Sequence, residues 1–183
     1  MYAAGSYNGT VGLYDEKSNE LLYLLPVGRG VTKTQFSMDG KYLFSSSRQD
    51  DKIICWDIRQ SGDILFEVSR LGETNQRISF DLDPTGQYLM SGDTSGMVRI
   101  WDLPSLIANP RDSLSPLIEQ QVHQDVVSSA AFHPFFYHEE YRFISTCSGS
   151  RKFPLLFDDE SGAEDDQPLD NSLRIMRMHS PIK

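Results

Sequence analysis

Cysteine is nearly absent from this chain of 183 residues, with Cys55 and Cys147 its only two. One lies in an apolar run and the other near a turn. That distribution excludes a disulfide framework or a zinc spacing and fits a reducing, intracellular compartment. Long apolar runs are missing as well. The longest, residues 21–27, has seven residues and already contains Pro26, whereas a helix needs about 20 to cross a bilayer, so no membrane partner is expected. The opening MYAAGSYNG has neither the basic nor the apolar stretch of a secretory leader. A basic excess is lacking too: 17 Lys and Arg stand against 26 Asp and Glu, for a net charge of −9. Six of those acids fall between Asp158 and Asp166, and without them the balance is about −3. Nonspecific nucleic-acid binders usually carry a strong positive excess, so charge alone does not suggest RNA. Helical periodicity is nowhere sustained. No nucleophile elbow, HExxH motif or phosphate-cradling glycine loop occurs, so no catalytic residue, metal ligand or cofactor is expected.

What the sequence does have is an internal repeat. GLYD ends at Asp15, CWD at Asp57 and IWD at Asp102, at spacings of 42 and 45 residues, the period of a WD-repeat blade, about 40 to 45. Gly5, Gly9, Tyr14 and Asp15 shifted by 87 land on Gly92, Gly96, Trp101 and Asp102. Within a repeat, short strand patterns alternate with turns. In the third repeat, strands are expected at 78–80, 88–91 and 97–101, with turns at 83–86 and 93–96. In the second they are expected at 34–36, 42–46 and 53–56. A stretched fourth repeat places strands at 130–132, 143–147 and 172–176, with Met176 where the tryptophan stood. The fold class predicted is all-β, a partial WD-repeat β-propeller of about four blades in an incomplete ring. The expected blades are 1–26 (lacking its opening strand), 27–70, 71–118 and 119–157, the last completed by a strand at 172–178. Residues 158–171 read as a disordered acidic insert, 179–183 as a tail, 103–116 as an extended surface segment and 135–141 as a short aromatic and acidic excursion. The chain is expected to be the C-terminal part of a longer propeller protein and, alone, to aggregate or require a partner.

Most of the conspicuous residues have structural readings. Tyr14, Trp56 and Trp101 hold the repeat position that packs between blades. Asp15, Asp57 and Asp102 end strands and are expected to bond local backbone groups. A typical WD repeat puts an aspartate six residues before each aromatic. The equivalents here are Asn8, Asp50 and Ser95, and only Asp50 matches. Its usual histidine partner is absent around Gly28 and Arg29, while His123, ahead of the fourth repeat, is the best candidate for a structural histidine. The acids at 158–160 and 164–166 lack the fixed spacing and glycine of a calcium loop and read as a solvated loop. Loops in equivalent blade positions share a face, so Arg48, Lys52, Arg151 and Lys152 are expected to form a patch. Phe153 beside the last two suits phosphate contact with base stacking.

The words of the sequence are more specific than its period. IICWDIRQSG at 53–62 and TNQRISFDLDPTGQYLMSGDTSG at 74–96, with GSYNGTVGLYD at 5–15 and TCSGSRKFP at 146–154, resemble the telomerase Cajal body protein family over most of residues 1–178. The resemblance implies a non-enzymatic nuclear adaptor of Cajal bodies. It would bind small Cajal body RNAs, telomerase RNA among them, and contact ribonucleoprotein core proteins and Cajal-body scaffold proteins. Arg48, Arg59, Arg77, Arg151 and Lys152 are the expected RNA-facing set. The front half of such a protein, about three blades, has no counterpart here. The alternative reading is a WD-repeat scaffold for protein partners.

Overall fold

The structure, a computed structural model, describes residues 1–59, 62–111, 114–135, 141–150 and 170–179. Four antiparallel sheets follow one another along the chain. The first holds β1 (Tyr2–Gly5), β2 (Thr10–Tyr14) and β3 (Leu21–Pro26); the second β4 (Val31–Phe36), β5 (Tyr42–Ser47), β6 (Lys52–Asp57) and β7 (Asp63–Ser69). The third holds β8 (Phe80–Leu82), β9 (Tyr88–Gly92), β10 (Met97–Asp102) and β11 (Ile118–Gln121); the fourth β12 (Val127–Phe132), β13 (Tyr141–Ser148) and β14 (Leu173–His179). In each sheet the strands pair in chain order, as in propeller blades, and the described residues close no ring.

Burial explains the composition of the strands. β5 and β9 are buried at every position because they are central strands flanked by sheets on both faces. Three apolar clusters fill the spaces between blades. Val11, Leu13 and Leu25 meet Leu43, Ile54 and Trp56 between the first and second. Phe44, Cys55 and Phe66 meet Phe80, Leu89 and Trp101 between the second and third. Met90, Val98 and Ile100 meet Phe132, Ile144 and Met178 between the third and fourth. Trp56 and Trp101 are 1% and 0% exposed, and deleting an indole from such a site costs about 3–5 kcal/mol.

The repeated glycines have a physical use. Gly9 and Gly96 sit in second-to-third-strand turns at φ +82° and +85°, where a side chain is strained. Their carbonyls accept the amides that bring the chain back from the outer strand: Val27 and Gly28 at 2.9 Å on Gly9, Val122 and His123 at 3.1 Å on Gly96. A Cβ at Gly96 would collide with the His123 carbonyl.

Several expectations need correction. Each of the first three sheets has an outer strand, β3, β7 or β11, beyond the strands read in the repeats, and the third sheet therefore runs on to Gln121. The opening strand of that sheet starts at Phe80 rather than Ile78, because the Ile78 carbonyl accepts from the Arg70 guanidinium at 3.2 Å and the Ser79 amide donates to Ser128 in the next blade at 2.9 Å. Segment 103–116 is not wholly extended: α1 (Leu103–Ala108) opens it. Asp102 caps this helix, and Pro104 sits in the first turn, where its missing N–H costs nothing. The expected acidic insert lies outside the described residues except for Asp170 and Asn171, and the tail except for His179, which ends β14.

Candidate nucleic-acid interface

Antiparallel strands sort loops between two ends of the blades. The second-to-third-strand turns share an end with the connections from one blade to the next. Arg48 follows β5 in such a turn, and Arg77 stands in the connection to β8. Together with Asn75, Gln76, Gly149, Ser150 and Asn171 they line a polar groove of about 500 Å³. Arg48 is held by its amide, which donates to Gly30 at 2.9 Å. Its guanidinium lies over the Tyr7 ring, 5.5 Å from the centroid, and Tyr7 itself is 76% exposed.

The connection carrying Arg77 is pinned at several points. Buried Arg70 donates to Gly92 at 3.3 Å and Ile78 at 3.2 Å, and its burial pulls the guanidinium pKa down to about 10. The Gly72 amide donates to Asp51 at 2.6 Å, and the Gln76 side chain donates to the Gly149 carbonyl at 2.6 Å, tying this connection to the fourth blade. Two acids at this end, Asp50 and Asp125, make local bonds. Asp50 accepts from the Lys52 amide at 3.1 Å, and Asp125 accepts from Val126 at 2.7 Å and Ser150 at 3.1 Å.

The structure brings Arg48 and Arg77 to one groove but not Arg59. Arg59 follows β6 at the opposite end, a strand length of about 17–20 Å away. There it forks onto Asp57, with Nη2 to Oδ2 at 2.7 Å, and lies 5.2 Å from the Tyr42 ring centroid. Lys52 pairs with Glu67 at 2.5 Å. Arg151 and Lys152 follow Ser150 directly in sequence and lie outside the described residues. Sequence reasoning missed Tyr7, Asn75, Gln76 and Asn171 as groove neighbours, and also Arg29, whose guanidinium donates to the Gln49 carbonyl at the same end. Counting strand reversals from each turn would have located them.

The repeat residues sit in local networks. The Tyr14 ring stacks on Tyr2 at 5.2 Å. Asp15 accepts from the amides of Lys17 at 2.6 Å and Ser18 at 3.3 Å, which hold its carboxyl below the usual range. The Trp56 indole donates to Ser45 Oγ at 2.8 Å and the Trp101 indole to the Leu114 carbonyl at 3.2 Å. In the third blade the turn carboxylate is Asp93, not the Ser95 position. It is fully buried, accepts from the Ser95 and Met97 amides at 2.8 and 3.0 Å, and pairs with Arg99. His123, 1% exposed, faces Thr146 Oγ1 at 2.8 Å through Nε2, and Asp170 Oδ2 and Ser172 Oγ at 3.2 Å through Nδ1. Ser172 and the Gln124 amide hold the Asp170 carboxyl well below the usual carboxylate range. Thr146 is fully buried, and Ser172 also bonds Asp170 and Ser148, so the histidine ties the start of β14 to the middle of β13. Among the described residues no group of three His, Cys, Asp or Glu is placed to hold a metal.

Comparison with known proteins agrees with this architecture. The family described as WD domain, G-beta repeat matches residues 21–57 and 68–102; each match begins on an outer strand, β3 or β7, and ends with the third strand of the next sheet. Telomerase Cajal body protein 1 of Mesocricetus auratus is 40% identical over 172 residues, covering 92% of this chain and 31% of the relative. Its namesake in Homo sapiens is 41% identical over 157 residues, covering 84% and 27%. A chain in the crystal structure of a mitotic checkpoint complex superposes with a TM-score of 0.63 at 21% identity, over 81% of this chain and 40% of that one, a likeness of fold alone. The chain thus spans about 30% of the length of the relatives it matches, and it belongs to the telomerase Cajal body protein family of WD-repeat proteins.

Proposed function

We propose that this chain contributes an RNA-binding surface to a non-catalytic adaptor that takes small Cajal body RNAs, telomerase RNA among them, to nuclear Cajal bodies. Ribonucleoprotein core proteins and Cajal-body scaffold proteins are its protein partners in this reading. One observation carries it: Arg48 and Arg77 converge with Asn75, Gln76 and Asn171 on one polar groove, beside the exposed ring of Tyr7. Single-stranded RNA loops are read by such sets, guanidinium to phosphate, amide to base edge and aromatic to base face. A local cationic site of this kind is compatible with a net charge of −9. Arg151 and Lys152 extend the site in this reading; Arg59, at the other end, is left out of it. The relatives' printed names support the Cajal-body assignment. No helix among the described residues is long and apolar enough to cross a membrane.

Crosslinking the 183-residue chain to nuclear RNA and sequencing the captured fragments tests the proposal. The expected result is enrichment of small nuclear RNAs sharing a loop motif. Arg48→Glu with Arg77→Glu should abolish that enrichment without lowering the melting temperature, and Arg77→Ala alone should reduce the salt dependence of log affinity by about 0.7. Background-level capture by the unmodified chain, or capture unchanged by the double reversal, overturns the reading.

A further inference from the structure

Register equivalence turns one sequence difference into a surface feature. Trp56 pairs with Leu43 and Trp101 with Leu89, and each indole fills the space against the preceding blade. The residue in the same register of the fourth sheet is Met176, opposite Ile144. It is only half-buried, and a cavity of about 270 Å³ opens between the third and fourth blades. Ile100, Val122 and Ile144 form aliphatic walls, Met176 and Met178 add two thioethers, and Gln120 lines the same space.

We propose that this cavity receives the tryptophan side chain of a partner protein, presented within an acidic segment. The frame around it is the one that encloses an indole at both preceding interfaces. Thioethers make favourable contacts with aromatic rings. Gln120 supplies an amide oxygen, and a buried indole N–H requires an acceptor. Arg177 and His179 line the cavity and are exposed; the Arg177 guanidinium also lies 5.2 Å from the Tyr141 ring centroid, and Arg174, farther along β14, pairs with Asp170 at 3.9 Å. The residues that line the cavity include no carboxylate, and Glu119 alternates with the lining Ile118 and Gln120 and pairs with Arg99 at 2.6 Å on the other face of its sheet. That charge distribution favours acids flanking the incoming tryptophan. This site stands apart from the RNA reading, since the cavity borders the far end of β14 from Asn171.

The test follows the methionine methyl signals of the 183-residue chain during titration with a capped acidic peptide carrying one central tryptophan. Saturable shifts at Met176 and Met178 are expected, and none with alanine in place of the tryptophan. Lysines in place of the flanking acids should weaken binding about two- to fivefold. Met176→Trp fills the cavity from within and should weaken peptide binding at least about tenfold while maintaining or raising the melting temperature. If that variant fails to fold, Ile144→Phe narrows the same space. The absence of saturable shifts at either methionine, or undiminished binding by a folded cavity-filled variant, overturns the proposal; equal binding of the lysine peptide overturns its acidic part.

Discussion

In the second blade the Ser45 hydroxyl accepts from the Trp56 indole at 2.8 Å, and no histidine stands nearby in the preceding connection. In the fourth, the hydroxyl in the same register, Thr146, meets His123 at 2.8 Å, His123 meets Asp170, and Met176 replaces the tryptophan. The two blades therefore hold opposite halves of one buried network. A buried hydroxyl must find a partner, and either half supplies one. The consequences differ: the indole closes an interface, whereas the histidine anchors the chain at 170–172 and leaves a cavity beside Met176.

The largest expected effect probes the filled side. Trp56→Ala should cost about 3–5 kcal/mol in urea denaturation, and Met176→Ala only about 1–2 kcal/mol, because its space is already partly open. Equal losses would erase the distinction between a closed and an open interface. Next in size, His123→Ala leaves the Thr146 hydroxyl and the Asp170 carboxylate without the ring and should cost about 1–3 kcal/mol. It should also speed hydrogen exchange at Gln124 and Ser172, which Ser45→Ala should not; unchanged exchange would detach the 170–172 segment from the network.

The smallest effect is one of pH. The folded Asp170 carboxyl lies below its ordinary value of 3.8, so its contribution is fully present above that value and is lost as pH falls through the lower folded one. The denaturation midpoint should therefore drop more steeply between pH 4 and pH 2 in the unmodified chain than in Asp170→Asn. Parallel slopes would remove Asp170 from the energetics of the fourth blade. Asp15 and Asp57 are lowered too, by backbone amides and by Arg59 respectively, but they act equally in both chains.

The tryptophan positions were legible in the sequence because a large aromatic recurring every 42 to 45 residues has few places to go other than an interface between repeated units. His123 was legible as a structural residue by its place ahead of the fourth repeat. Its partner Asp170 was not, since 47 residues separate the two, nor was the role of Asp93, because the repeat pattern places the carboxylate at the Ser95 position, two residues later in the same turn. The set of cations that share the groove was legible only in part. Arg48 and Arg59 follow consecutive antiparallel strands, so they stand at opposite ends of the blade, whereas Arg77 returns to the end of Arg48 only because β7 adds one more reversal.

Local pattern, a property of neighbouring residues, was enough by itself to determine the all-β class, the period, the turns at Gly9 and Gly96 and the interblade place of each tryptophan. Which cations share a groove, which hydroxyl meets the histidine and where an indole is missing depend on the parity of strand reversals and on contacts between residues dozens of positions apart. Only the packed sheets decided those, because a side chain's neighbours across an interface are set by register and not by its position in the chain.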